Sequence, residues 1–241
     1  MQFIDDSIIL KIKFFSETSF IVTVISKNNG LHRGLLRKKN INLGDITQST
    51  WTARLSEHLG TWDFESKKSC AAFIMRNNLK LKCFQFFCEI LCESLPERMI
   101  CCDIYEKSQN FIFSLCEDSK KWIFDFLLLE LSLLPRVGFV LDFSDLHLAT
   151  ENDPLEFVSP KTGKIVTRSR GEPYKDKLLK FPFFFLKKNE KNGILYENIQ
   201  KKELKDAFDL THHFLFQNQS KNGNSLQEIH ENLIVKFFEY W

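Results

Sequence analysis

The stretch "SIILKIKFFSETSFIVTVIS", residues 7–26, decides the fold class. Its first half alternates apolar and polar side chains, which predicts a strand whose buried face consists of Ile8, Leu10, Ile12 and Phe14. Its second half is rich in β-branched residues, which also favour a strand. The turn-forming sequence Asn28-Asn29-Gly30 follows directly. The start of the chain is therefore expected to form antiparallel strands.

Three further strand patterns follow before residue 70. "LHRGLLR" begins at residue 31, "ITQSTWTARLSEHL" begins at residue 46, and "TWDFE" begins after a turn at Gly60. In the second pattern Trp51, Ala53 and Leu55 are expected on one face, with Arg54 on the other. Five short strands without a helix long enough for a parallel crossover predict an OB-fold, a five-stranded β-barrel that binds oligonucleotides. This domain is expected to span residues 1–69.

After Ser69 the apolar period changes to about 3.6, which is typical of helices. One helix is expected from Cys70 to Leu95, and Pro96 is well placed to begin a second. Further helices are expected at about 119–134, 196–217 and 225–241. The chain is thus predicted to be an α+β protein with an α-helical domain at residues 70–241.

Composition and leader signals indicate an ordinary folded protein. Of 241 residues, 44% are hydrophobic and 27% are charged. The longest apolar run, 122–134, is too short to cross a bilayer and contains Asp125 and Glu130. No basic leader precedes Asp5 and Asp6, so we expect no membrane association and a cytoplasmic location. Seven cysteines scattered through apolar segments indicate reduced thiols.

The sequence offers little catalytic or metal-binding chemistry. Gly163-Lys164 lacks the rest of a phosphate-binding loop, and no C-x-x-C pair occurs. His212 and His213 are adjacent, so on a helix they point about 100° apart and do not share a metal. The pairs 5–6 and 117–118 are carboxylates at element starts, where turn and capping roles are expected. We expect no enzyme activity and no cofactor.

Basic residues are concentrated in two places. From Thr18 to Gly44 there are five Lys/Arg and no acidic residue, and from Lys161 to Lys191 there are ten against three acids. A partner rich in phosphates would explain both clusters, and a solvated surface is the alternative. The candidate DNA-binding residues of the barrel are Lys27, His32, Arg33, Arg37, Lys38, Lys39 and Arg54.

Four segments together resemble one protein family. They are "NNGLHRGLLR", "LGDITQSTWTARLSEHLGTWDFE", "LLELSLLPRVGFVLDFS" and "FVSPKTGKIVTRSRGEPYKDKLLKFPFFF". This combination resembles the bacterial RecO family in its alphaproteobacterial form. The resemblance implies an OB-fold barrel on a helical domain and a recombination mediator that binds single- and double-stranded DNA and anneals complementary strands. It also implies pairing with RecR and contact with the single-stranded DNA-binding protein, so that RecA is loaded.

The insert, residues about 142–174, departs from the family pattern. Many members carry a four-cysteine zinc ribbon there, whereas this chain has no cysteine after Cys116. The possible ligand positions hold residues such as Leu146, His147, Ala149, Val166 and Ser169. We therefore predict a metal-free, zinc-ribbon-like insert held by turns and local packing. Its basic residues either extend the DNA-binding surface or are merely solvated: Lys161, Lys164, Arg168 and Arg170.

A second departure concerns the partner site. The family often carries arginine before the "LLxxxGF" segment, suited to the acidic tail of the single-stranded DNA-binding protein, but here Leu127 and Leu128 stand there. Either the acidic tail is not bound, or that contact uses other cations, such as Lys120, Lys121 and Arg136.

Two other functions are compatible with the sequence. One is a protein-interaction scaffold that does not bind DNA, and the other is a metal-dependent enzyme that processes nucleic acid.

Overall fold

A computed structural model describes residues 1–37, 41–55, 57–185, 199–217 and 224–240. Its strands are β1 Gln2–Ser16, β2 Ser19–Ser26, β3 Gly30–Leu36, β4 Ile46–Thr52, β5 Thr61–Lys68, β6 Leu155–Val158, β7 Ile165–Thr167 and β8 Leu179–Lys180. Its α-helices are α1 Ala71–Met75, α2 Asn78–Ser94, α3 Cys102–Leu115, α4 Lys121–Leu133, α5 Arg168–Gly171, α6 Lys201–Phe216 and α7 Asn224–Tyr240. Short 3₁₀ turns occur at Leu134–Val137, Leu146–Leu148, Glu172–Lys177 and Phe183–Phe185.

The chain packs into two compact units, Met1–Asp125 and Phe126–Trp241. The first unit contains the barrel and the helices up to the start of α4. The second contains the rest of α4, the insert, α6 and α7. This division describes packing, and the domain boundary near residue 69 stays a prediction.

The five strands of the first unit close into a barrel in the order β1-β2-β3-β5-β4. Neighbouring strands are antiparallel except β3 and β5, which meet in parallel at Leu35 and Thr61. β1 closes the barrel by pairing with β4 from Gln2 opposite Thr52 to Ile8 opposite Ile46. This strand order agrees with an OB-fold, and the predicted α+β class is confirmed.

A bulge in β1 corrects the predicted burial pattern. The pairing with β2 runs from Ile9 opposite Val24 to Lys11 opposite Thr23, so Leu10 is the extra residue. Past this point the alternation is reversed, and Ile12 joins Ile9 in the barrel core. The prediction that Ile8 and Ile12 share one face was therefore wrong, because the bulge shifts the register by one residue.

Two tryptophans fill the barrel. Trp51 and Trp62 are buried, and both indole N–H groups donate to main-chain oxygens. Trp51 Nε1 donates to Arg33 O at 3.2 Å, and Trp62 Nε1 donates to Val22 O at 3.2 Å. The large rings thus bury apolar area without leaving a polar group unsatisfied.

The first helical segment differs from the prediction in two ways. Asn77 has an extended backbone and its side chain accepts from the amides of Leu79 and Lys80, so it ends α1 and caps a new helix. Pro96 does not begin a helix. The residues after it run along β3 instead, where Arg98 N donates to Leu31 O at 2.8 Å, and α3 begins only at Cys102.

A buried lysine joins two helices of the first unit. Lys80 Nζ donates to Leu115 O at 2.8 Å and to Glu117 O at 2.6 Å, at the carboxyl end of α3. Burial lowers the pKa of this lysine from its usual value. A positive charge at the end of a helix satisfies carbonyls that the helix itself leaves without donors.

The second unit consists of a helical bundle and the insert. Phe126, Phe208 and Phe237 pack together between α4, α6 and α7, with ring centroids 5.3 to 6.3 Å apart. Two strands of the insert and the strand β8 that follows it form a small sheet in the order β7-β6-β8. Gly171 lies against Phe157 so closely that an added Cβ would be 2.3 Å from its ring. The insert is thus more regular than the turns predicted for it.

No helix in the described ranges has the length and apolar character needed to cross a bilayer. All seven cysteines lie within these ranges, and none of them forms a disulfide. Burial raises the pKa of Cys88 well above its usual value and that of Cys92 to about 11. These thiols therefore stay protonated and inert.

Candidate nucleic-acid interface

The turn between β2 and β3 is fixed by a buried aspartate. The carboxylate of Asp5 accepts from Asn28 N at 2.7 Å, from Asn28 Nδ2 at 2.9 Å and from Asn29 Nδ2 at 2.8 Å. Gly30 ends the turn with a φ of 70°, and an added Cβ there would lie 1.9 Å from Met99 O. The turn is therefore held rigidly, with Lys27 half-buried at its start. The hydrogen bonds of Asp5 thus agree with the turn-forming role expected of it.

His32 lies inside the barrel. Its ring contacts Phe3 and Trp51 edge-on, with centroids 5.1 and 5.6 Å apart. Burial, followed by the positive charge of Arg98, lowers the pKa of His32 from its usual 6.5. A buried ring offers little surface to a phosphate, and the predicted DNA contact at this position stays a prediction.

The remaining barrel cations of the described residues are exposed but differ in their ion pairs. Arg33 is exposed but pairs with Glu97 at 2.7 Å. Arg37 and Arg54 are also exposed, and no ion pair joins either of them to a carboxylate of the described residues. Lys38 and Lys39 lie outside the described residues.

Arg37 and Arg54 leave the barrel at the same end. Leu35 pairs with Thr61, and Thr61 pairs with Thr52. Each arginine stands two residues beyond one of these paired positions. Arg54 lies in a bend after β4, whereas the sequence pattern placed it on the strand. The strand ends at Thr52 because its partner β1 begins there, at Gln2.

Most basic residues of the insert are paired with carboxylates. Asp145 contacts Lys164 Nζ at 3.3 Å and Arg170 Nη1 at 2.9 Å. Glu156 contacts Arg168 Nε at 2.5 Å and Lys180 Nζ at 2.8 Å. Hydrogen bonds from Arg168 and then Lys180 lower the pKa of Glu156.

Among the predicted insert cations, Lys161 is exposed and has no ion pair with the described residues. The positive charge of the insert is therefore largely compensated inside the second unit.

The predicted absence of a zinc ribbon stays a prediction. Across the described part of the chain, no three His, Cys, Asp or Glu side chains are grouped closely enough to hold a metal ion. His147, the one histidine among the predicted ligand positions, has its Nδ1 2.8 Å from Ser144 O. His212 and His213 diverge as expected, since His213 Nε2 lies 3.1 Å from Pro160 O while His212 contacts His230.

The predicted partner-binding cations are half-buried. Lys121 pairs with Asp125 one turn further along α4. Lys120 precedes that helix in the first unit, and Arg136 follows it in the second. Binding of an acidic tail at these cations stays a prediction.

A buried polar network in the second unit was missed by sequence reasoning. Glu130 accepts from Thr211 Oγ1 at 2.7 Å and contacts His230 Nε2 at 2.5 Å. The Nδ1 atoms of His230 and His212 are 2.8 Å apart, and His212 Nε2 lies 3.2 Å from Glu231. The sequence signals this network only through Glu130, an acidic residue within an apolar helix. The other four side chains come from α6 and α7, which are distant in sequence.

Comparison with known proteins gives consistent results. A family model described as the C-terminal part of recombination protein O matches residues 76–226. The chain is 35% identical over 187 residues to DNA repair protein RecO of Ehrlichia chaffeensis, which covers 76% of this chain and 77% of that protein. It is 34% identical over 221 residues to the protein of the same name from Rickettsia canadensis. That alignment covers 89% of this chain and 88% of the Rickettsia protein.

Proposed function

The chain belongs to the RecO family and has a role in DNA repair and recombination, and from this premise we propose that it binds DNA through its barrel and anneals complementary single strands. The observation that carries the proposal is the closed five-stranded barrel with exposed Arg37 and Arg54 at one end. Barrels of this type bind oligonucleotides by contacts to the backbone and by stacking on bases.

Annealing requires no catalytic side chain. When cations neutralise the phosphates of two strands on one surface, the mutual repulsion of the strands falls and base pairing supplies the free energy. If about four phosphates are contacted, the logarithm of the affinity for single strands should fall with the logarithm of salt concentration at a slope of roughly −3. We propose accordingly that the protein is not an enzyme.

The finer functions follow the family. We propose that the chain pairs with RecR in the cytoplasm and helps to load RecA onto DNA covered by single-stranded DNA-binding protein. We also propose that it binds both single- and double-stranded DNA and that its insert folds without a metal. Zinc analysis of the purified protein tests the last point, and one zinc per chain would contradict it.

The central experiment measures annealing of complementary strands across a salt series. The double variant Arg37→Ala/Arg54→Ala should anneal several-fold more slowly at low salt, because about two phosphate contacts are lost. The matched control is Lys202→Ala/Lys205→Ala, which removes the same charge from exposed positions of α6. It should anneal like the unaltered protein.

Absence of DNA binding by the unaltered protein at low salt would contradict the proposal. It would favour a scaffold that binds protein partners alone. Equal loss in the two double variants would show that net charge matters and the barrel end does not.

A further inference from the structure

A groove of about 490 Å³ opens in the first unit, at the mouth of the barrel. One wall is the β1–β2 hairpin, and the other is formed by α1 and the first turns of α2. The side chains that shape it are mainly apolar: Ile12, Phe14, Phe20, Ile74, Met75 and Phe84. Its volume lies in the range of ligand-binding clefts.

The groove exposes large apolar side chains. Phe14 is 64% exposed and Met75 is 68% exposed, although both line the groove. Phe14 meets Phe20 in a T-shaped contact with ring centroids 6.2 Å apart, and most of the Phe14 side chain stays exposed. Contiguous exposed apolar surface is unfavourable in water and marks a binding site.

The exposed charged residues beside the groove are mainly basic, whereas the carboxylate of Asp45 is buried against the amide of the lining residue Asn42. Arg37 directly follows Leu36, which pairs with Phe20, and Arg76 directly follows Met75. From Ser7 to Gly44 the only acidic residue is Glu17, and from Cys70 to Cys88 there is none. These segments supply the groove's lining residues. An occupant should therefore combine apolar or aromatic groups with negative charge.

We propose that this groove binds unpaired bases of single-stranded DNA, with a base stacked on Phe14 and the flanking phosphates near Arg37 and Arg76. The inference rests on the proposed DNA binding and assigns it a second contact surface. A single strand is the one anionic polymer whose every residue carries a flat aromatic group, and stacking on aromatic side chains requires no particular sequence. Duplex DNA cannot fill the groove, because its bases are already paired and stacked.

The position of the groove within the fold supports this occupant over an acidic peptide. The hairpin joining the first two strands is one of the loops with which OB-fold barrels contact oligonucleotides. Phe14 lies near the tip of this hairpin, since β1 ends at Ser16 and β2 begins at Ser19.

Phe14 and Phe15 provide a matched pair for the test. They are neighbours on β1 and similarly exposed, at 64% and 58%, but Phe14 lines the groove and Phe15, at a register shift between Phe14 and Ser16, does not. Binding of a labelled oligothymidine and of a duplex of equal length would be measured for both alanine variants. Phe14→Ala should bind the single strand about tenfold more weakly, with duplex binding and salt slope unchanged. Phe15→Ala should bind both like the unaltered protein, and Phe14→Trp should retain single-strand binding.

The outcomes separate this inference from the proposed function. If the unaltered protein binds neither the oligothymidine nor the duplex, the proposed function and the groove assignment are both overturned. If it binds DNA but Phe14→Ala binds the single strand as tightly, or if Phe14→Ala and Phe15→Ala weaken equally, only the groove assignment is overturned. Sedimentation of the DNA-free protein adds one further outcome. A dimer that Phe14→Ala converts to a monomer would assign the groove to a second copy of the chain and overturn the inference.

Discussion

The barrel end and the insert both carry several cations, but the two regions differ in what those cations face. Arg37 and Arg54 project from an end of the barrel, and the segment from Thr18 to Gly44 contains no acidic residue. In the insert, Asp145 and Glu156 each contact two cations. Positive residues are therefore available to an anionic partner only where folding brings no carboxylate to them.

The largest expected effect concerns the anchoring carboxylates of the two regions. Asp5 in the barrel is buried and accepts three hydrogen bonds from Asn28 and Asn29, whereas Asp153 in the insert accepts from the exposed Ser169. Asp5→Ala should lower the free energy of unfolding by about 3 kcal/mol, because buried donors lose their partner. Asp153→Ala should have a much smaller effect. Urea denaturation followed by tryptophan fluorescence measures both.

Asp5→Asn serves as the control, because it keeps an acceptor oxygen of similar size and should retain part of the stability. Equal destabilisation by Asp5→Ala and Asp153→Ala would remove the distinction between the two regions.

The second prediction concerns pH. The pKa of His32 is lowered in the folded barrel, so its contribution to stability is fully present above 6.5 and falls as the unfolded chain takes up a proton below that value. The loss is at most about 1.4 kcal/mol per pH unit. The pKa of Glu156 is lowered below its usual 4.5, so its contribution is lost only under stronger acid. Hydrogen exchange should therefore show the opening free energy of the barrel falling between about pH 7 and about pH 5, while that of the insert stays nearly constant.

His32→Leu should remove this pH dependence from the barrel. An insert whose opening free energy falls as much as that of the barrel, or a His32→Leu variant with an unchanged pH response, would contradict the assignment.

The smallest expected effect tests whether the insert can be made to behave like the barrel end. Asp145→Asn releases Lys164 and Arg170 and should raise the affinity for single-stranded DNA about threefold at low salt. Glu172→Gln is the control, since it changes the net charge equally but releases Lys175 alone. Equal affinities for both variants would leave the insert cations with a structural role only. Fluorescence anisotropy resolves differences of this size.

The sequence predicts the strands well because alternation is a local property of the chain. The five barrel strands follow from it, but the bulge at Leu10 does not, since a register shift depends on the partner strand. The ion pairs of the insert were missed for a similar reason. A count of charged residues over 161–191 leaves out Asp145 and Glu156. The fold brings these two carboxylates to Lys164 and Arg168. The burial of His32 likewise depends on which side of β3 faces the tryptophans.

The buried histidines of the second unit constrain each other's tautomers. The Nδ1 atoms of His230 and His212 lie 2.8 Å apart, so one of them carries a hydrogen and the other accepts it. Two neutral rings in this contact must therefore be opposite tautomers, and a change of tautomer on α6 requires the matching change on α7.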